Sequence, residues 1–423
     1  MQKEIKVDLS KVKKVFFIGI GGIGISALAK MALSRGMKIS GVNDEESPKT
    51  LLPFQQAGIT IFFQNDKKKL EKLPEADLYV YSDAWLYRGP DIIEKAKASG
   101  KMVMSYFEAL GIFAKEYKVI AIAGTHGKTT TTAMVAEILI DAGLDPTVIV
   151  GSFVKKFDSN FRKGESEYLV VEADEYNRHF INFFPWLTLI TNIEADHLDY
   201  YRDLADIQNA FGQLLSQSEK KITDYKKYLG KVPTLKLLGA HNRMNAAAAL
   251  AVADVLHIKE KNAQKSLANF AGTWRRLEKR GETPNGAIIY DDYAHHPTEI
   301  KASLQALREL YPPNKKKITV LFQPHLFSRT QALFGDFSTS FILADKVLLL
   351  PIYFAREEAD ESVSSEKLAE AIRLEGGDAQ AYSDFQSAEK AVLSLKLDSK
   401  EVFVTMGAGE AYKVADKVFK LDY

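Results

Sequence analysis

Cysteine is missing from all 423 residues of this chain. Disulfides and thiolate metal sites are thereby excluded, and a reducing compartment is the simple expectation. An excess of one charge is missing too, since 56 Lys and Arg against 55 Asp and Glu leave a net charge of +1. A nucleic-acid surface usually needs a basic excess, so no nucleic acid is expected as a partner. No uninterrupted apolar run approaches the ~18 residues of a membrane span, so no membrane is expected either. Met1 to Ser10 is charged and has no apolar core, which predicts no signal peptide and a cytoplasmic protein. Low-complexity tracts and short repeats are also absent. What remains is an ordinary globular composition, 46% hydrophobic and 26% charged, long enough for about two or three domains.

The most informative stretch is Val119-Ile120-Ala121-Ile122-Ala123-Gly124-Thr125-His126-Gly127-Lys128-Thr129-Thr130. A short apolar strand feeds a glycine-rich turn, which opens at Lys128-Thr129 onto a helix. Such a turn aims backbone N–H groups and the positive end of a helix dipole at one spot. Lys128 adds a point charge for β- and γ-phosphates, and the Thr129 hydroxyl suits Mg²⁺. The strict phosphate-loop pattern is not met, because Ile122 stands in place of its first glycine. The plain alternative is a strand-to-helix turn without a ligand. Thr129 to Thr132 argue against it, since threonines gain nothing in a helix unless their hydroxyls are wanted. The stretch reads as a nucleoside triphosphate site.

Strands and helices alternate along the chain in three α/β segments, 1–115, 116–274 and 275–423. The first opens with a strand at Val15-Phe16-Phe17-Ile18, followed by Gly19-Ile20-Gly21-Gly22-Ile23-Gly24 and a helix. With Asp44 about 20 residues on, this is a dinucleotide fingerprint. Physically it licenses only a pyrophosphate near a helix N-terminus, and a nucleotide-diphosphate sugar satisfies the same geometry. The second segment carries strands at 168–171 and 187–192 and a helix at 203–217 with Leu204, Ile207, Phe211, Leu214 and Leu215 on one face. An alanine-rich helix is expected at 243–256. The third segment repeats the doubly wound pattern, with strands at 287–290, 318–322, 347–350 and 402–405.

Several polar runs fall at predicted strand ends, where open α/β sheets bind ligands. Glu172-Ala173-Asp174-Glu175 is placed to hold Mg²⁺ near a triphosphate, and Asp196-His197 follows the next strand. Asn242 reads as a possible N-cap. Asn245, one turn further, has no capping task, so it bonds either a base or a helix neighbour. Asp291-Asp292-Tyr293-Ala294-His295-His296 and Gln323-Pro324-His325-Leu326-Phe327-Ser328-Arg329 each follow a strand and read as binding loops.

Together these runs, with 191–201, His241-Asn242-Arg243-Met244-Asn245-Ala246, Arg275-Arg276-Leu277-Glu278 and Met406-Gly407-Ala408-Gly409, resemble the Mur ligase family. They occur in family order from about residue 15 to 410. The resemblance implies an α/β chain of three domains: a Rossmann-like domain (1–115) for a UDP-sugar, a central ATPase domain (116–274), and a C-terminal Rossmann-like domain (275–423) for an amino acid. It implies ATP and Mg²⁺, with UDP-N-acetylmuramate and an amino acid, L-alanine foremost, as substrates of a monomer or homodimer. Gly124, Thr125, His126, Gly127, Lys128, Thr129 and Thr130 then hold the phosphates, and Asn242, Asn245, Arg276 and Asp292 the rest of ATP. Gly19, Gly21, Gly22, Ile23, Gly24 and Asp44 serve the UDP-sugar. His296, His325 and Arg329 serve the amino acid. Thr129, Glu172 and His197 serve the metal, and Lys128, Glu172, His197 and Arg329 carry the chemistry.

The family reaction activates a carboxylate as an acyl phosphate, which an amine then attacks. Two departures stand out. The stretch 202–240 is shorter than in relatives, which predicts a central domain trimmed at one edge away from the phosphate loop. Leu326 stands where relatives carry arginine, which bears on the choice of amino acid. Within the family the alternatives are an enzyme that joins a whole peptide and a non-catalytic ATP-binding relative; Asp196-His197-Leu198-Asp199-Tyr200-Tyr201 favours the amino-acid-adding type. An NAD-dependent oxidoreductase, suggested by Gly19 to Gly24 alone, leaves Lys128 and Glu172 unexplained.

Overall fold

The computed structural model describes residues 8–44, 48–354 and 357–421; the charged run 1–7 lies outside them. Among the described residues the strands form three sheets. The first contains β1 (Lys14–Ile18), β2 (Lys38–Asn43), β3 (Ile61–Phe63), β4 (Leu78–Tyr81) and β5 (Met102–Ser105), in the order β3-β2-β1-β4-β5, all parallel. The second contains β6 (Lys118–Ala123), β7 (Thr147–Val154), β8 (Ser159–Arg162), β9 (Tyr168–Glu172), β10 (Leu187–Ile190) and β11 (Lys220–Ile222), in the order β11-β10-β6-β9-β7-β8. Only the β7–β8 pair in it is antiparallel. The third contains β12 (Glu278–Glu282), β13 (Ile288–Asp292), β14 (Lys317–Phe322), β15 (Lys346–Leu349), β16 (Ala379–Ala381) and β17 (Glu401–Met406), in the order β12-β13-β17-β14-β15-β16.

The strand sequences follow from double-sided burial. Val15 to Ile18 and Val119 to Ala123 are continuous apolar runs because a parallel sheet carries helices on both faces. In the third sheet the faces separate with a period of two. Ile288, Tyr290, Val402 and Val404 join one apolar cluster, while Ile289 and Phe403 join the other. The chain divides into two compact units. One comprises Met1–Ile193, Ala205–Tyr228 and Ala248–Leu267 and holds the first two sheets; the other comprises Glu194–Leu204, Leu229–Ala247 and Ala268–Tyr423 and holds the third.

Some local expectations shift. The alanine-rich helix spans Ala240–Val255 and so begins earlier than read, which places Asn242 inside its first turn instead of at its cap. Strand β13 runs through Asp292, because Asp291 and Asp292 pair with Thr405 and Met406 of β17. The helix Leu204–Ser216 buries Ile207, Ala210, Phe211 and Leu214, whereas Leu204 is exposed and Leu215 half-buried. Its apolar stripe is narrower than the spacing suggested. The stretch 202–240 contributes this helix and the three-residue edge strand β11. Among the described residues no helix is long and apolar enough to cross a membrane.

Gly41 in β2 marks a close approach, since a Cβ there would stand 2.6 Å from Phe17 O and 2.9 Å from Ile20 Cβ. Backbone cannot yield cheaply, so Gly41→Ala is expected to cost about 1–3 kcal/mol and lower Tm by several degrees. Gly212, in the helix Leu204–Ser216, has open space around its missing Cβ. Gly212→Ala should therefore gain about 0.5–1 kcal/mol and raise Tm in the same thermal melt.

Candidate active site

In the first unit the phosphate loop rises from β6, the strand that lies between β9 and β10. The parallel order brings three C-terminal strand ends together. Gly124 has φ +133°, and a Cβ there would meet Thr191 Oγ1 at 2.0 Å, so glycine is required. Thr191 Oγ1 donates to His126 O at 2.6 Å. Asn192 brackets the His126 backbone, its Nδ2 donating to His126 O (3.0 Å) while its Oδ1 accepts from His126 N (2.9 Å). Thr125 N donates to Asn192 O at 3.0 Å. The loop is thus braced by the residues that follow β10. Gly127, with φ +81°, caps the helix Lys128–Asp141.

Lys128 Nζ donates to Gly124 O (2.7 Å) and Thr125 O (3.1 Å) and lies 2.7 Å from Glu175 Oε2. Burial opposes its charge, but Glu175, Asp174 and Glu172 outweigh that and raise its affinity for the proton. Burial also pushes the Glu175 carboxyl up to about 7, with Lys128 pulling the other way. Thr129 Oγ1 donates to Glu172 Oε1 at 2.9 Å, and Glu172 Oε2 accepts from Gly151 N at 2.9 Å. The other threonines do not all repeat this. Thr132 Oγ1 returns to Lys128 O within its own helix at 2.8 Å, and Thr130 is simply buried.

The glycine loop after β1 is held just as tightly. Gly19 has φ +86°, and its Cβ would strike Trp85 Nε1 at 2.4 Å. Gly21 N donates to Asn43 Oδ1 (3.0 Å), and Thr50 Oγ1 donates to Gly21 O (2.7 Å). Gly22 precedes the helix Ile23–Ser34, and Gly24 packs on the Tyr106 ring. Asp44 lies beyond β2 in an ion pair with Arg88 Nη1 at 2.6 Å. Asn43, Thr50 and Trp85 shape this cradle and were not singled out from sequence. Only Asn43, ending β2 next to Asp44, offered a signal.

The second unit holds the remaining candidates. Arg329 is buried with Nε and Nη2 each 3.1 Å from Asp196 Oδ1, and its Nη1 lies 3.3 Å from His325 Nδ1. Burial would raise the Asp196 carboxyl, but Arg329 first, then His197, His295 and His296, hold it far below its ordinary range. His197 Nε2 stands 3.7 Å from Asp196 Oδ2. The His325 ring stacks on Tyr353 at 5.5 Å. Leu326 is buried, with its N–H on Tyr353 O, so it occupies a core position here.

His296 caps the helix Pro297–Leu310, its Nδ1 accepting from Thr298 N at 3.2 Å. Burial pushes His295 down to about 4 against the pull of Glu299. Asp292 is pushed up to about 6 by burial, and it accepts from Ser303 Oγ and Ala294 N. Asn245 Nδ2 donates to Asn242 Oδ1 at 3.2 Å, and Asn242 Nδ2 to Leu238 O at 2.8 Å. Of the two alternatives for Asn245, a helix neighbour is the partner seen. The two adjacent arginines part company. Arg275 is buried on Asp291, Gly407 O and Gly409 O, while Arg276 reaches Glu299 at 3.9 Å and the Tyr293 ring.

Residues 14–118 match the Mur ligase family catalytic domain, 122–231 the Mur ligase middle domain, and 275–409 the Mur ligase glutamate ligase domain. The chain is 36% identical to a UDP-N-acetylmuramate–L-alanine ligase of Clostridium acetobutylicum, over 98% of this chain and 99% of that one. The crystal structure of a UDP-N-acetylmuramate-alanine ligase from Thermotoga maritima is similar, with TM-score 0.80 and 27% identity over 96% of this chain and 98% of that one. A murein peptide ligase from Psychrobacter arcticus shares the fold, with TM-score 0.72 and 24% identity over 96% and 98% of the two chains.

The double bracket on His126 gives a direct test of the loop. Asn192→Ala removes two hydrogen bonds from the His126 backbone, a loss of about 1–3 kcal/mol. The Kd for Mg-ATP, measured by calorimetry, should rise tenfold or more; an unchanged Kd would show that the loop holds its shape without the bracket.

Proposed function

The chain belongs to the Mur ligase family, and from that premise we propose that it joins L-alanine to the lactoyl carboxylate of UDP-N-acetylmuramate, driven by ATP, as a cytoplasmic monomer or homodimer. The observation that carries the reading is the braced loop with Lys128 and the Thr129–Glu172 pair at three adjacent strand ends, in a chain so similar along its length to ligases of that name. We assign 1–115 to the UDP-sugar, with Gly19 to Gly24 and Asp44 around its pyrophosphate. The segment 116–274 takes the phosphates of ATP, and 275–423 the amino acid.

A carboxylate is a poor electrophile, so it first attacks the γ-phosphorus in line, the bond to the β,γ-bridging oxygen breaks, ADP departs, and an acyl phosphate is left. Lys128 positions and neutralises the transferring group. Thr129 and Glu172 offer hard oxygen donors 2.9 Å apart, which suits Mg²⁺, and His197 is assigned to the same task. When bound, the ion supplies charge neutralisation on the phosphoryl oxygens. Asn242, Asn245, Arg276 and Asp292 are assigned to the nucleotide. His296, His325 and Arg329 are assigned to the amino acid, whose amine attacks the acyl carbon as phosphate leaves.

Coupled ADP release with UDP-N-acetylmuramate should proceed with L-alanine in preference to glycine or L-serine, and a tripeptide should not replace it. Release driven by the tripeptide and not by alanine would make the chain a peptide ligase. Lys128→Ala should lower turnover by at least a thousandfold while leaving the Kd for UDP-N-acetylmuramate within threefold. Equal loss of both would contradict the assignment of the two segments.

A further inference from the structure

His179 belongs to no group assigned so far, yet its side chain is held by two carboxylates and two aromatic rings. Its side chain is 8% exposed, with Nε2 2.7 Å from Asp83 Oδ2 and Nδ1 3.5 Å from Asp174 Oδ2. The ring lies flat on Phe107 at 3.6 Å and 11°, and Tyr176 meets it edge-on at 5.8 Å. Immediately before it, Asn177 and Arg178 have φ of +51° and +55°, a conformation that L side chains avoid. That turn aims the imidazole inward. Burial opposes charge on the ring, but Asp174 and Asp83 outweigh it and raise its affinity for a proton.

The two carboxylates come from different sheets. Asp83 follows β4 of the first sheet, two residues before the Trp85 that fills the space beneath Gly19. Asp174 lies between Glu172, partner of Thr129, and Glu175, partner of Lys128. Phe107 comes from the helix Tyr106–Ala114, where Gly111 is so close to the turn carrying His179 that a Cβ would stand 2.5 Å from Asn182 O. Each end of the bridge is therefore two residues or fewer from a group that shapes a substrate cradle.

We propose that His179 is a positioning residue: held between Asp83 and Asp174, it keys the glycine-loop segment to the carboxylate strip beside Lys128 and so sets how the sugar acid meets the nucleotide. The role rests on the ligase reading above. It differs from mere core filling, because it predicts loss of rate with each ligand still bound normally, and coupling between the two ends of the bridge.

The test uses His179→Ala, Asp83→Asn and the double variant in the full chain. His179→Ala should lower kcat for ADP release at least tenfold, with Kd for Mg-ATP and for UDP-N-acetylmuramate each within threefold. The double variant should be no slower than His179→Ala alone. Asp83→Asn, at a position more exposed than the ring itself, should lower kcat at least threefold and carries the test if His179→Ala does not fold. A readout independent of turnover comes from spin labels at Lys97→Cys and Lys163→Cys, sites exposed in a chain without native cysteine. Their distance distribution should broaden in His179→Ala and in Asp83→Asn. Wild-type kcat in the folded variants with an unbroadened distribution would overturn the proposal. If the parent protein releases no ADP with this substrate pair while the variants still show the broadening, the ligase reading falls and the bridge stands.

Discussion

The central constraint is a turn with no room in it. Between β6 and the helix that begins at Lys128, the backbone passes so close to Thr191 that Gly124 can carry no side chain. That proximity exists only because β6 is flanked by β9 and β10. Once the strands are so ordered, the residues leaving β10 hydrogen-bond the loop and the last residue of β9 faces Thr129. A chain of ordinary propensities thus fixes a set of N–H groups and one ammonium before any ligand arrives. Preorganisation of this kind is how an electrostatic site acts without reorganising during the reaction.

Buried charge is the second organising feature, and three buried cations are closely matched. Lys128 sits on Glu175 and two carbonyls, Arg329 on Asp196, and Arg275 on Asp291 and the glycine turn after β17. Taking such groups out of water is costly, and removing one partner from a buried pair costs about 3–5 kcal/mol. These pairs are therefore poor devices for stability and good ones for geometry, since each ion has a single place to go. The same logic gives the His179 bridge its stiffness.

The backbone absorbs strain where chemistry-bearing side chains must be aimed. Positive φ occurs at Asn177 and Arg178 before His179, at His197 itself, and at Leu326 between His325 and the helix of Arg329. None of these is glycine, so surrounding contacts over-determine them. Leu326, which stands where relatives carry arginine, is buried here with its N–H on Tyr353 O.

Much was legible before any coordinates, because the informative signals are local. Apolar runs bounded by glycine announce parallel strands, and Gly124 to Thr129 announces a helix N-terminus fit for phosphates, since each needs only a few consecutive residues. The pairing of Thr129 with Glu172 was also within reach, as both ends of a parallel strand pair carry recognisable chemistry. The bracket by Asn192, the Asn43 and Trp85 walls of the glycine cradle, the cap made by His296, and the bridge through His179 were not. Each joins residues far apart in sequence or recruits a side chain whose identity is unremarkable on its own. Strand order decides which loops meet, and strand order is a property of packing, where the burial of two faces at once selects one arrangement from many that the same pattern allows.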